Sequence, residues 1–350
     1  VPVQPVTIME LPHTLVVIPT LNEAAHIEQV LGELCVGLPA AAPVQFVVAD
    51  GGSTDGTPEI VRRLSASFPW SLVLMHNPRR LQSAAVNLAV RHHAAGRSLL
   101  VRCDAHASYP PGFLQRLHES MVEHGADAVV VPMDSVGESP WQRAIAWVSD
   151  TLVGSGGSAH RGGARSGFVD HGHHAAFSMA SFCRAGGYDE TFSHNEDAEL
   201  DCRQRALGSK IYLDSDIRIG YLPRDSFGGL WRQYQNYGAG RSRTIRKHPG
   251  SWRPRQLLVP ANFLAQVMAL GLGCVWPAFW LLPLLYLCAI AATTVHLLAR
   301  HRQVEAMLAF PAALALHNAW AFGFLRGLVK EREDRWEPGM AQPLNACGTT

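Results

Sequence analysis

The chain has 350 residues, enough for one large domain or two smaller ones. Only 17% are charged against 47% hydrophobic, the apolar excess lies after Leu257, and the net charge is +1. That balance excludes polyelectrolyte character, and with it nucleic acid as an expected partner.

The cysteines stand at 35, 103, 183, 202, 274, 288 and 347, none in a C-x-x-C pair. Their odd number and scatter argue against a disulfide framework or a zinc site and fit a reducing compartment. Cys274 and Cys288 lie in apolar segments and read as small core residues. Residues 1–13 are a proline-rich lead-in, without the charged and apolar regions of a secretory signal.

Leu15-Val16-Val17-Ile18 is a continuous apolar run, as expected of a strand buried on both faces, and Pro19 ends it. Asn22 is placed to cap a helix from Glu23 to about Cys35, with Ile27, Val30, Leu31 and Leu34 at helical spacing. Phe46-Val47-Val48-Ala49 is a second buried strand, ending in Asp50-Gly51-Gly52-Ser53 before a helix that starts at Thr57-Pro58-Glu59. Leu72–Met75 predicts a strand, Leu81–Ala95 a helix, Leu99–Cys103 a strand, Pro111–His124 a helix and Ala128–Val131 a strand. Such alternation predicts an α/β fold with a mostly parallel sheet, whose ligands bind beyond the carboxyl ends of the strands. Those ends carry Thr20 to Glu23, Asp50, Asn77 to Arg80, and Asp104 with His106. In an extended chain, side chains two apart point the same way, so Asp104 and His106 can reach one point, such as a metal ion on a phosphate. The Asp50 turn matches neither a P-loop nor G-x-G-x-x-G. It suits a nucleoside pressed against backbone, with the carboxylate accepting from base or ribose.

Pro19-Thr20-Leu21-Asn22-Glu23, Asp50-Gly51-Gly52-Ser53 and Asp104-Ala105-His106 resemble, in this order, the motifs of family 2 glycosyltransferases with a GT-A fold. Asp104 to Pro110 is similar to the Asp-Ala-His-Ala and Tyr-Pro of bacterial exopolysaccharide enzymes of the succinoglycan glucosyltransferase type, with one inserted Ser. The resemblance covers residues 14–245, as a catalytic domain. It implies that Pro19, Thr20, Glu23 and Asp50 hold the uridine end of a nucleotide-sugar donor, and that Arg79 or Arg80 approaches the base or diphosphate. It implies that Asp104 and His106 hold Mg²⁺ or Mn²⁺ on the diphosphate. Many family members have Asp where His106 stands, and the softer imidazole implies a preference for Mn²⁺.

The glycine-rich run 154–167 is a loop that acts as a lid or is simply an insertion. His171, His173 and His174 follow it without a ligand set that would make a zinc site. Asn195 is placed to cap a helix whose first turn is acidic, with Glu199–Arg203 and Asp201–Arg205 as i,i+4 pairs on a solvated face. Glu196-Asp197 matches the catalytic position of the family. There Asp197, with Glu196 second, would be the general base for an acceptor hydroxyl in a single, inverting displacement. Lys210–Leu213 and Ile217–Leu222 read as late strands, and the aromatic stretch from Trp231 to Gly238 as an amphipathic helix. By resemblance, Gln235 and Arg241 would contact acceptor or diphosphate; an interfacial helix on lipid is the other reading.

Arginines from 241 to 255 form a basic flank before three apolar stretches, 257–276, 278–299 and 304–325. Each is long enough to span a bilayer. Trp276-Pro277 would be an outer turn and Arg300-His301-Arg302 a cytoplasmic loop. The third stretch, interrupted by Pro311 and His317-Asn318, spans or lies in the interface. Residues 246–336 are thus a membrane region with two or three apolar helices, and 337–350 a disordered tail. The chain is expected in the cell inner or plasma membrane, with a cytoplasmic catalytic domain. It would move a sugar, glucose by resemblance, from a UDP-sugar to a lipid-linked saccharide. The alternatives are a polyprenyl-phosphate sugar synthase and a non-catalytic scaffold of the same fold.

Overall fold

The computed structural model describes residues 10–155, 165–330 and 333–344. Its first half runs β1 (Thr14–Thr20), α1 (Ile27–Cys35), β2 (Val44–Asp50), α2 (Thr57–Ser65), β3 (Ser71–His76), α3 (Gln82–His93), β4 (Leu99–Arg102), β5 (Ala107–Ser108), α4 (Phe113–His124), β6 (Ala128–Val131), β7 (Met133–Ser135), α5 (Pro140–Ser149) and α6 (Leu152–Ser155). The second half runs β8 (Gly167–Phe168), β9 (His173–Ser178), α7 (Met179–Arg184), α8 (Glu196–Ala206), β10 (Ile211–Leu213), β11 (Ile219–Tyr221), α9 (Phe227–Lys247), α10 (Pro254–Leu272), α11 (Leu281–His301) and α12 (Ala309–Lys330).

The main sheet has the order β3-β2-β1-β4-β9-β6-β10-β8. The apolar runs are continuous because alternate residues serve two cores. Val16 and Ile18 of β1 pack with Leu31 and Phe113 on one face, while Leu15 and Val17 pack with Val90, Phe182 and Leu200 on the other. β1, β2, β3 and β4 are parallel, as are β6 and β10. β9 runs antiparallel between β4 and β6, so its first residues, His173 and His174, arrive where β4 and β6 end. A small second sheet, β5-β11-β7, lies beyond that edge.

Three expectations fail here. Asn22 does not cap a helix, which starts only at Ile27. It takes a positive φ of 59° and ties two loops together: its backbone N–H donates to Ser53 Oγ (2.7 Å) and its Oδ1 accepts from Thr54 N–H (2.9 Å). Cys183 is disulfide-bonded, so the scatter of cysteines did not exclude a disulfide. Cys274, in the turn after α10, and Cys288, on α11, are exposed rather than in a core.

The C-terminal helices form a third core, where Ile145 and Val148 of α5 meet Leu230 of α9, Leu297 of α11, and Ala312 and Leu316 of α12. α9 and α12 approach backbone to backbone. A Cβ on Gly323 would collide with the Gln235 carbonyl, and one on Gly238 with the Trp320 carbonyl. Small residues allow such close approach. Gly323→Val is therefore expected to destabilise this packing by about 1–3 kcal/mol or more, read as a lower melting temperature of the purified chain. An unchanged melting temperature would show that the helices do not pack this closely.

Two helical segments are long and apolar enough to cross a membrane, Pro277–His301 (25 residues) and Val304–Lys330 (27 residues), while Gln256–Leu272 is shorter. Both ends of the last segment touch helices α5 and α9. Glu305 pairs with Arg143 of α5 at 2.8 Å, His301 stacks on Trp147, and Arg246 of α9 donates to the Gly327 carbonyl at 2.8 Å. The chain then returns further. The Trp336 N–H donates to the Lys247 carbonyl (3.0 Å) and the Leu344 N–H to the Cys183 carbonyl (3.1 Å). Residues 337–344, expected to be disordered, lie against the α/β domain, because Leu344 packs on its core. The expected boundary at residue 245 falls inside α9.

Candidate active site

A cavity of about 880 Å³ opens where β4 ends, between the start of α8 and the face of α9. Asp104, His106, Glu196, Asp197 and Arg241 line it, together with Gln82, Arg102, His173 and Val259, Leu316 and Trp320 of α10 and α12. Asp104 and His106 share it by a route other than the expected one. The strand stops at Arg102, and a turn, not extended chain, presents both side chains.

Arg102 is the buried centre of this site. One guanidinium nitrogen, Nη1, donates to Asp197 Oδ1 at 2.7 Å, and Nη2 donates to Asp104 Oδ1 at 3.2 Å. Gln82 Nε2 also donates to Asp104 Oδ1 (2.8 Å). Tyr109 clamps the Asp104 backbone, its hydroxyl accepting from the N–H at 2.6 Å and donating to the carbonyl at 3.0 Å. Burial pushes the Asp104 carboxyl up, but the charges of Arg102, His173 and His106 outweigh it and hold the group down at about 2. Burial likewise opposes ionisation of Asp197, yet Arg102 and His174 keep it well below the usual carboxylate range. Its neighbour Glu196 goes the other way, pushed up to about 7 by burial and then by the charge of Asp197.

Residues that would hold a cation are arranged consistently with that role. His106 Nδ1 lies 3.0 Å from Glu23 Oε1. That contact assigns the ring proton to Nδ1 and leaves Nε2 as a donor atom, the orientation in which a carboxylate behind a histidine supports metal ligation. Among the described residues no group of three or more His, Cys, Asp or Glu could hold a metal by itself. A cation on Asp104 and His106 would need further ligand atoms.

The other expected donor contacts lie on adjacent strand ends and do not line this cavity. Asp50 is almost wholly occupied by its own turn. Its Oδ2 accepts from the N–H groups of Gly52 and Ser53 (both 2.9 Å), and its Oδ1 from the hydroxyls of Ser53 (2.5 Å) and Thr20 (3.2 Å). The turn needs glycine at 52, where φ is +84°. Pro19 is in β1, paired with Ala49 beside that turn. Arg80 packs its guanidinium over Gly52, whereas Arg79 pairs with Glu190 at 2.6 Å. Gln235 faces α12 with its backbone, and Gln233, Tyr234 and Tyr237 line the cavity in its place.

Of the two expected i,i+4 pairs, Glu199–Arg203 forms and Asp201–Arg205 does not. Glu199 and Asp201 are fully buried rather than solvated. Glu199 accepts from Arg203, Lys247 and His248, while Asp201 meets His171 and His174 and Arg205 pairs with Asp170 instead. Arg102 and the histidines went unrecognised as site residues. Their signal was a charged residue inside an apolar strand and three histidines with no ligand set.

Residues 15–184 match the model of the family described as glycosyl transferase family 2. The chain is 42% identical over 325 residues to the succinoglycan biosynthesis protein ExoA of Rhizobium meliloti, covering 91% of this chain and 96% of that protein. It is 33% identical over 147 residues to the polyprenol monophosphomannose synthase of Mycolicibacterium smegmatis, covering 40% of this chain and 54% of the relative. Among solved structures it is similar to the mannosyltransferase PcManGT from Pyrobaculum calidifontis in complex with GDP-Man and Mn²⁺. The TM-score is 0.58 at 24% identity, over 89% of this chain and 88% of that one. The fold is thus GT-A-like, a mixed, mostly parallel sheet followed by long apolar helices. The chain belongs to glycosyl transferase family 2.

Proposed function

We propose that this glycosyltransferase moves a sugar, with glucose as the first candidate, from a UDP-sugar to the hydroxyl of a lipid-linked saccharide in exopolysaccharide synthesis, with inversion. The observation that carries the reading is one cavity lined by Asp104 and His106, by Asp197, and by apolar side chains of α10 and α12. Asp104 and His106 would hold Mg²⁺ or Mn²⁺ against the donor diphosphate. When bound, the cation neutralises the departing diphosphate, so no carboxylic acid is needed behind the leaving group. Asp197 accepts the proton of the attacking hydroxyl, ionised at neutral pH by its two cationic neighbours. Arg224, Arg232 and Arg241 line the same cavity and suit an anionic group on either substrate. Supporting the acceptor class is the relationship to a succinoglycan biosynthesis protein over nearly the whole chain. The test is transfer of labelled sugar from UDP-glucose and other UDP-sugars to lipid extract by membranes containing the chain; failure with every one would reject the donor class.

His106 in place of a second carboxylate softens the cation site. Turnover is expected to be higher with Mn²⁺ than with Mg²⁺. Equal or better rates with Mg²⁺ in the same assay would count against His106 as a ligand.

The membrane reading follows from which segments touch the catalytic domain. The 301–305 turn and residues 333–344 both pack on it, so α12 begins and ends on one side and lies along the interface, half buried. The segments left to enter the bilayer are α10 and α11, joined by the exposed turn at Trp276–Trp280. Cys274, exposed beside that turn, is expected to react with a membrane-impermeant maleimide in intact cells, and Cys274→Ser to lose that labelling. Labelling only after the membrane is broken would place the turn on the catalytic side.

A further inference from the structure

Each of the three histidines without a metal meets a carboxylate. His171 Nδ1 is 2.7 Å from Asp201 Oδ2, and His173 Nε2 is 3.4 Å from Asp104 Oδ2. His174 lies between two: Nδ1 is 3.2 Å from Asp197 Oδ1, and Nε2 is 2.5 Å from Asp201 Oδ1. An ionised carboxylate only accepts, so a ring nitrogen facing it must carry a proton. A neutral imidazole has one N–H and His174 faces carboxylates at both nitrogens, so the geometry calls for imidazolium. Both His174 and Asp201 are buried. The Nδ1 contact falls on the same Asp197 oxygen that Arg102 holds at 2.7 Å. Among the described residues, no hydrogen bond is made to Asp197 Oδ2.

We propose that His174, anchored by Asp201, is a positioning residue for transfer. It holds Asp197 by Oδ1 from behind and keeps Oδ2 as the atom that receives the acceptor proton. The inference rests on the reading of Asp197 as the base. It assigns the histidine stretch of β9 a role that no metal plays, and explains why helix α8 buries Asp201 one turn beyond Asp197. A misplaced base loses rate even when the substrate still binds.

The groups facing His174 are Asp197 and Asp201 of α8, Tyr188 (hydroxyl 3.3 Å from Nδ1), Arg102 at the end of β4 through Asp197, and His173 beside it on β9. Burial works against the charged ring, but the two carboxylates outweigh it and raise the group to about 9. The sign follows: the cation persists through neutral pH and is lost as pH rises through about 9, so transfer falls on the alkaline side. Removing the Asp201 charge should move that alkaline limb to lower pH.

The experiment uses the full chain in membranes, with the UDP-sugar that wild type turns over, and UDP with Mn²⁺ as the binding probe. For His174→Gln, kcat should fall by about 10–100-fold while donor KM and UDP affinity stay unchanged. For Asp201→Asn, the shape-preserving variant, the alkaline limb of kcat should shift to lower pH. Unchanged kcat in His174→Gln, or loss of rate in both variants that tracks a lower melting temperature with the limb unmoved, would assign the network to stability alone and overturn the proposal. Failure of both variants to fold would do the same. The two readings separate cleanly. If Asp197→Asn retains transfer, the base assignment fails. If Asp197→Asn loses transfer while His174→Gln retains it, only the positioning role fails.

Discussion

Replacing Asp197 by Asn should lower transfer by about 10²–10⁴-fold while UDP binding persists, the range general base catalysis supplies. The substitution keeps the shape of the side chain and removes only its ability to take a proton. A hydroxyl attacking an anomeric carbon must lose its proton as the bond forms. Asp197 lines the cavity, stays ionised at neutral pH and, unlike Asp104, is not assigned to the cation. Glu196, pushed up to about 7 by burial and by Asp197, carries a proton much of the time there, so Glu196→Gln should cost less. A larger loss for Glu196→Gln would transfer the role to it. A mild effect of Asp197→Asn would instead favour an acceptor that needs no base, such as a lipid phosphate. Both variants are read by rates of label transfer and by calorimetric UDP binding.

The largest stability effect is expected at Arg102. Arg102→Met removes a buried cation from between two part-buried carboxylates, and breaking a buried pair by deleting one partner costs up to about 3–5 kcal/mol. Because Asp104 is held down at about 2 in the folded protein, its contribution to stability is present above the ordinary carboxylate range and lost as pH falls through about 2. Without Arg102 that carboxyl should rise, so the deficit of the variant shrinks as the medium is made acidic. Arg102→Lys should recover only part of the loss, since an ammonium is a point charge and cannot fork between two carboxylates. Thermal melts across pH check this; a deficit independent of pH would show that Arg102 acts by packing rather than by charge.

Much of the frame was legible in the chain. Val16-Val17-Ile18 and Phe46–Ala49 read as buried strands because a parallel sheet covered on both faces leaves no polar positions. The turn after β2 could be named from Asp50 and Gly52, because tight turns favour those residue types. What could not be read was set by tertiary pairing. His173–Ser178 carries no local mark of direction, and only its place between β4 and β6 makes it antiparallel. That reversal brings His173 and His174 to the carboxylates. Arg102 sits at the end of an apolar strand, where nothing local shows that Asp197, 95 residues further on, converges on it. The i,i+4 rule gave Asp201 an exposed partner, but the face of α8 that bears it is turned inward. The return of residues 333–344 to the domain likewise depends on contacts that a polar, proline-bearing tail does not announce.

The most direct test of the shared cavity is to incubate membranes containing the chain with labelled UDP-glucose, Mn²⁺ and lipid extract, and to follow label into the organic phase. The expected result is UDP release matched by a lipid-extractable saccharide whose new linkage has the anomeric configuration opposite to the donor. UDP release without any lipid-bound label, or a product that retains the donor configuration, would contradict it.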